Sequence, residues 1–143
     1  MAMSRLIHVF FGSVLLLAFA PAQADDLTGA DRFVCAALVV VACWDDGECE
    51  EGLPAELKVP QFIEVDLKAK RLSTTKASGE NRTSPITQLK REQGKIMLQG
   101  YEAGRAFSFV IAEETGRASV AVATDGRNVS VFGACTPVAT TGS

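Results

Sequence analysis

Histidine is nearly absent from this chain of 143 residues. Its single histidine, His8, lies in the N-terminal segment that we expect to be removed during export. The remaining chain would then contain no imidazole, which is the commonest general base, a common zinc ligand and the usual partner of a nucleophilic Ser or Cys. We therefore predict a protein that is not an enzyme and that uses no cofactor.

Two further absences argue against membrane spans and nucleic-acid binding. The longest later apolar run, FVCAALVVVACW at 33–44, has twelve residues, whereas a helical span needs about 20. Acidic residues exceed basic ones by nine over 25–66, and basic residues exceed acidic ones by five over 67–143. This uneven charge does not resemble the basic stripe of a nucleic-acid-binding protein. We predict no nucleic-acid partner and no membrane span in the mature chain.

The first 24 residues follow the plan of a secretory signal peptide. Arg5 supplies a basic start, an apolar run follows over 6–20, and Ala22-Gln23-Ala24 is a small-x-small cleavage site. A membrane anchor is the alternative. We predict an exported protein, periplasmic or secreted.

The rest of the chain has the length of one domain. We divide the sequence into a signal peptide at 1–24, a single domain at 25–136 and a flexible tail at 137–143. Four cysteines in a short exported chain favour disulfide bonds over a metal site, because their spacings do not match zinc-binding pairs.

Regularly spaced glycines divide the second half into short strands. Gly94, Gly104, Gly116 and Gly126 lie ten to twelve residues apart, and the segments between them alternate apolar and small or polar residues. Further upstream, QFIEVDLKAKRLSTT is typical of a hairpin. The apolar run at 33–44 favours a strand covered on both faces, with a buried helix as the alternative. The sequence predicts about eight antiparallel strands.

An open sheet of eight strands would leave two apolar edges, and closure into an up-and-down barrel removes them. The first strand then lies antiparallel to the last. We therefore predict that Cys35 pairs with Cys135 and that Cys43 pairs with Cys49, although four cysteines allow three pairings. The fold class is an all-β, disulfide-bonded barrel whose interior is filled by bulky side chains.

Three segments, QFIEVDLKAKRLSTTKASGENRTSPI, LQGYEAGRAFSFVIAEETG and VFGACTP, together with CWDDGEC, resemble a group of small uncharacterised exported proteins of Gram-negative bacteria. The architecture is similar to that of periplasmic lysozyme inhibitors and implies an exported β-barrel. Ser78-Gly79 is similar to the start of the SGxxY loop of those inhibitors. Asn81 and Arg82 stand where an aromatic residue would follow, so their inhibitory site is not carried over.

Two regions are candidates for contact with a partner. If the bulky residues of the last three strands point inward, an apolar face of small residues points outward around Phe132, and it includes Val110, Ala121 and Ala123. The polar loop STTKASGENRTS, with Ser78, Asn81 and Arg82, is the second candidate, since binding residues concentrate in loops. The hypothesis is a protein-binding or inhibitor-like module that contacts a partner or a second copy.

Two alternatives stay open. The barrel could carry a small apolar ligand, because eight strands leave room for side chains or for one small ligand. The acidic loop CWDDGECEEG could hold calcium through its carboxylates, although its spacing is not that of an EF-hand. A solvated acidic loop is the simpler interpretation of that segment.

Overall fold

The described part of the chain folds mainly into antiparallel strands. The computed structural model describes residues 25–78 and 81–138, so the predicted signal peptide and residues 139–143 of the predicted tail lie outside the described residues. No helix in the described part is long and apolar enough to cross a membrane. A single 3-10 turn occupies Lys76–Ser78. The strands are β1 (Arg32–Trp44), β2 (Cys49–Gly52), β3 (Phe62–Asp66), β4 (Arg71–Thr74), β5 (Thr83–Pro85), β6 (Gln88–Glu92), β7 (Lys95–Glu102), β8 (Arg105–Ala112), β9 (Arg117–Thr124) and β10 (Arg127–Pro137).

One sheet contains all of these strands and curls into a barrel. The order is β5-β4-β3-β1-β10-β9-β8-β7-β6, and β2 pairs separately with β1. The two terminal strands, β5 and β6, are consecutive in the chain, with only Ile86 and Thr87 between them. The N–H of Ile86 donates to the carbonyl oxygen of Lys70, next to β4, at 2.8 Å, and the N–H of Thr87 donates to the carbonyl oxygen of Gln99 on β7 at 2.9 Å. Consecutive residues of this link therefore bond to opposite ends of the strand order. If β5 and β6 are taken as one bent strand, the circuit has the eight strands that the sequence predicts, and β2 is an addition.

A glycine allows the two edges to approach closely. A Cβ atom at Gly100 on β7 would lie 2.3 Å from the carbonyl oxygen of Pro85 on β5 and 2.3 Å from Cζ of Phe107. Both distances are far below van der Waals contact, so only glycine fits at this position. The side chains of Ser84 and Glu102 form a hydrogen bond across the same junction.

A β-bulge in β1 explains why that strand is apolar on both sides. The register between β1 and β10 shifts between Ala37 and Val39, which leaves Leu38 as the extra residue. Up to Ala37 the odd-numbered residues are buried, whereas beyond the bulge Val40 and Ala42 are buried instead. The expectation that both faces of this strand are covered is wrong, because Leu38 is 59% exposed and Val39 is 39% exposed.

Gln61 pairs with the backbone at the bulge. The N–H of Ala37 donates to the carbonyl oxygen of Gln61 at 2.9 Å, and the side-chain Nε2 of Gln61 donates to the carbonyl oxygen of Ala37 at 2.6 Å. Before the bulge in the sequence, β1 pairs with β3, and after the bulge it pairs with β2. The bulge therefore marks the place where one neighbour of β1 replaces the other.

Three further details concern the bounds of the strands. The segment after Trp44 contains strand β2, because Cys49 lies opposite Cys43 on β1. The chain is interrupted at Ile86 and Thr87, because β5 before them pairs with β4 and β6 after them pairs with β7. The last strand runs to Pro137, and the N–H of Val138 donates to Arg32, so these two residues belong to the domain rather than to the tail.

Large apolar side chains fill one end of the barrel, which we call the closed end. Leu27 precedes the first strand and is fully buried there, with its N–H donating to the carbonyl oxygen of Glu113 at 2.7 Å. The cluster at this end includes Leu27, Phe33, Cys35, Val65, Leu67, Leu72, Ile86, Ile96, Leu98, Phe109, Ile111, Ala118 and Cys135. The opposite end, which carries the β7–β8 and β9–β10 hairpins, is called the open end.

Candidate functional site

The interior towards the open end is only partly filled. A cavity of about 420 Å³ lies inside the barrel there. Its walls include small inward-facing side chains of β1, β9 and β10: Ala37, Val120, Val122, Val129 and Val131. A second buried cluster, which includes Val40 and Leu57, packs in this half but leaves the cavity beside it, so the interior is less completely filled here than predicted.

Two phenylalanines lie where the filled and the partly filled halves meet. Phe107 and Phe109 on β8 pack edge to face, with ring centroids 5.9 Å apart and ring planes at 86°. Phe109 is buried in the filled cluster, whereas Phe107 is half-buried, and both contribute to the cavity lining. The two rings therefore give the cavity an apolar lower wall on which a ligand can pack.

The polar part of the lining is rich in positive charge. Thr74, Ser84 and Thr124 also belong to it. Among the described residues, four cations and one carboxylate line the cavity, although the chain as a whole has a net charge of −3. The rim, as we define it, consists of Lys58, Arg82, Glu102, Arg105 and Arg127.

Glu102, the only carboxylate of the rim, is already engaged by its neighbours. The hydroxyl of Ser84 donates a hydrogen bond to Oε2 of Glu102. Nη2 of Arg105 lies 4.0 Å from the same oxygen, at the outer limit of an ion pair. A pair this long and partly exposed has little interaction energy, so Arg105 keeps the capacity to bind another anion.

Arg127, the first residue of β10, is fixed by two contacts and retains one unsatisfied donor. Nη2 donates to the carbonyl oxygen of Leu57 at 2.9 Å, and the guanidinium carbon lies 5.5 Å from the centroid of the Trp44 ring. Its Nε is buried and has no hydrogen-bond partner among the described residues. A buried donor without a partner costs about 1–3 kcal/mol, so this arginine is held in place at an energetic cost.

The four residues of the predicted apolar face lie together on the outside of the barrel. Phe132 on β10 is opposite Ser119 on β9, which in turn is opposite Val110 on β8. Ala121 and Ala123 continue the same surface along β9 and are exposed. Phe132 is 50% exposed and Val110 is 42% exposed. We call the surface formed by Val110, Ala121, Ala123 and Phe132 the outer face.

No described segment of the chain covers the outer face. The acidic segment pairs, through β2, with the other edge of β1, and residues 25–31 end at the closed end around Leu27. The apolar surface extends from the outer face onto β1, where Val39 pairs with Phe132. The bulge at Leu38 hides this relationship in the sequence, because alternation counted from Cys35 assigns Val39 to the interior.

The structure separates the three predicted loop residues from the outer face. Ser78 is structural, since its hydroxyl accepts from the N–H of Phe62 at 2.9 Å and donates to the carbonyl oxygen of Phe62 at 3.0 Å. Asn81 is exposed, and Arg82 belongs to the rim of the cavity. The backbone of Arg82 is fixed by Thr74, whose Oγ1 accepts from its N–H at 2.9 Å.

The acidic segment shows no arrangement suited to a cation. The carboxylate of Asp46 accepts from the backbone N–H of Glu48 at 3.0 Å, which is a local turn. Among residues 25–78 and 81–138, no three His, Cys, Asp or Glu side chains are grouped as a metal site would require.

A scan of protein-family models finds none that matches this chain, and a search of curated proteins finds no similar sequence. The resemblance to small exported proteins therefore stays a prediction.

Proposed function

We propose that this protein binds a small molecule with an apolar body inside its barrel and acts as a carrier rather than as a catalyst. The observation that supports this function is the cavity of about 420 Å³ at the open end. Its size lies within the range of about 300–1,000 Å³ that is usual for ligand pockets, and its lining is mostly apolar with a few polar groups.

The barrel also meets the geometric requirement for a carrier. Eight strands enclose an interior that holds either side chains or one small ligand. Here side chains fill the closed end, whereas the open end keeps a cavity that could hold a ligand. Val122, Val129 and Phe107 already surround the space, so binding requires no rearrangement of the sheet. A preformed apolar pocket lowers the conformational cost of binding.

The same proposal includes an extracytoplasmic location. Both cysteine pairs are oxidised, with bonds between Cys35 and Cys135 and between Cys43 and Cys49. Disulfides of this kind persist in the periplasm and outside the cell. The protein would then move or retain an apolar compound in an aqueous compartment of the envelope.

The test uses two neighbouring residues of β9 that face opposite sides of the sheet. Val122 lines the cavity, whereas Ala121 is exposed on the outer face. We expect Val122→Phe to occupy the cavity and to weaken binding of the fluorophore N-phenyl-1-naphthylamine by about tenfold or more, since about 1.4 kcal/mol corresponds to tenfold. Ala121→Phe places the same aromatic ring outside the barrel and should bind like wild type.

Thermal unfolding of both variants establishes that each is folded. A folded Val122→Phe protein that binds the fluorophore as well as wild type would show that the cavity is not the binding site. A wild-type protein that binds none would overturn the carrier function.

A second candidate function is protein binding through the outer face. It is supported by the exposure of Phe132 and Val110, which lie on strands β10 and β8 with only β9 between them. Isolated exposed apolar side chains are ordinary, but a continuous apolar face is typical of contact surfaces. This function is compatible with the first, because the outer face and the cavity lie on opposite sides of the same strands.

A further inference from the structure

We propose that the ligand of the cavity carries a carboxylate, and that Arg105 and Arg127 hold this group at the rim. The inference rests on the proposed carrier function and specifies the chemical class of the ligand: an amphipathic acid with an apolar body of modest size. The apolar body would lie between the valines of β9 and β10, with its carboxylate toward the hairpins of the open end.

The charge of the rim selects an anion. Lys58, Arg82, Arg105 and Arg127 line the cavity, and Glu102 is the only carboxylate among the described residues of its lining. The side chains of Arg105 and Glu102 are 36% and 28% exposed, so part of their hydration has been lost. A cavity that concentrates positive charge beside apolar walls attracts anions and disfavours cations.

Arg127 adds a fixed guanidinium to this positive charge. Its contacts with Leu57 and Trp44 hold the guanidinium in place, so little rotational freedom remains to be lost when a ligand binds. Its Nε is buried without an acceptor among the described residues, so a carboxylate in the cavity would pair with the exposed part of the guanidinium rather than with this atom. Arginine presents a planar set of donors that matches a carboxylate, and such charge-assisted bonds are about twice as strong as neutral ones.

The surrounding hydroxyl groups are consistent with an oxygen-rich head group. Ser84 already donates to Glu102, whereas Thr124 donates from Oγ1 to the carbonyl oxygen of Arg127 at 3.1 Å. A hydroxyl can donate to a carboxylate as well as accept, so these groups add contacts without excluding an anion.

The experiment compares two ligands that share a chain and differ in their head group. Binding of decanoic acid and of decanol to the full mature protein is measured by calorimetry at neutral pH, where the acid is ionised. We expect the wild type to bind decanoate about tenfold or more tightly than decanol, because a charged hydrogen bond contributes about 1.5–3 kcal/mol. Raising the salt concentration should weaken the binding of decanoate and leave that of decanol unchanged.

Three variants assign the preference to its residues. Arg127→Gln and Arg105→Gln should each lower the affinity for decanoate and leave that for decanol nearly unchanged. Retained binding of decanol shows that the barrel of a variant is intact. If Arg127→Gln unfolds because it loses the contact with Leu57, Arg105→Gln alone tests the proposal. Arg117→Gln is the matched control, since Arg117 is exposed at the other end of β9 and its loss changes the net charge equally.

The outcomes separate the two proposals. Equal affinity for decanol and decanoate in the wild type would overturn the anionic head group and leave the carrier function standing. A preference for decanoate that survives in both arginine variants would overturn the assignment of Arg105 and Arg127. No binding of either ligand would contradict the carrier function together with this inference.

Discussion

Cys35 on β1 lies directly opposite Cys135 on β10, and their bond joins residues 100 positions apart across the two strands where the domain begins and ends. The second bond repeats this arrangement on the other edge of β1, where Cys43 lies opposite Cys49 on β2. Both disulfides therefore anchor the same strand, one to each neighbour. They differ mainly in the length of chain that they close.

That difference predicts unequal effects on stability. In the chain-entropy model, closing a loop of about 100 residues stabilises a protein by about 4.7 kcal/mol, whereas closing a loop of a few residues contributes about 2 kcal/mol. We expect Cys35→Ala with Cys135→Ala to lower the free energy of unfolding by about twice as much as Cys43→Ala with Cys49→Ala. Urea denaturation of both double variants measures this. Equal losses would mean that loop length does not determine the contribution of either bond.

The junction of the two sheet edges gives a second prediction. Gly100→Ala places a methyl group against the carbonyl oxygen of Pro85 and the ring of Phe107, so we expect a loss of about 1–3 kcal/mol in the free energy of unfolding. Gly104 has a φ of 75° but open space around it, and asparagine tolerates that conformation. Gly104→Asn should therefore cost less than Gly100→Ala. Thermal unfolding compares the two variants, and the reverse order would show that β5 does not pack against β7.

Ser78 provides a third prediction, because the structure gives it a different role from the one that its sequence position suggests. Its hydroxyl makes two hydrogen bonds with the backbone of Phe62, so Ser78→Ala should lower the free energy of unfolding by about 1–2 kcal/mol. Asn81→Ala, in the same loop but exposed, should change it by less than about 0.5 kcal/mol. If the Ser78→Ala protein is as stable as wild type, the hydroxyl of Ser78 does not stabilise the fold.

The barrel and its disulfides could be predicted because they depend on patterns that are local or topological. Alternation identifies the strands, the glycine spacing identifies the hairpins, and closure of eight strands brings Cys35 to Cys135. The inward position of Ile111 and the outward position of Phe132 follow from the same alternation, and both predictions are confirmed. A pattern of period two specifies faces well as long as the strand is regular.

The cavity and the bulge could not be predicted, for two separate physical reasons. The bulge at Leu38 adds one residue to β1 and reverses its faces, and nothing in an apolar run marks which residue is extra. The size of the cavity depends on how far the short strands β3 and β4 extend beside the longer strands. It also depends on the total volume of the inward-facing side chains, such as Val122 and Val129. Alternation shows which side chains point inward, but it does not show whether they meet at the centre.

The rim was missed for a related reason. Lys58, Arg82, Arg105 and Arg127 come from four separate segments of the chain, and three of them stand beside a turn where a charged residue is expected to face solvent. Only Arg82 belonged to a predicted contact loop. These segments converge at one end of the barrel because the barrel closes, and the sequence predicts that closure. Closure alone does not predict that the four side chains surround a cavity.

The outer face provides the last prediction, which concerns self-association through Phe132. We expect the wild-type protein to dimerise weakly at high concentration, because the exposed side chains of Val39, Phe132 and Val110 lie in one row across the sheet, in which only Ser119 on β9 is polar. Phe132→Glu should make the protein monomeric in sedimentation velocity, since a buried unpaired carboxylate opposes contact. Leu53→Glu is the matched control, because Leu53 is 61% exposed but outside this row. A wild type that stays monomeric at all concentrations would exclude self-association and leave a different protein as the partner of the outer face.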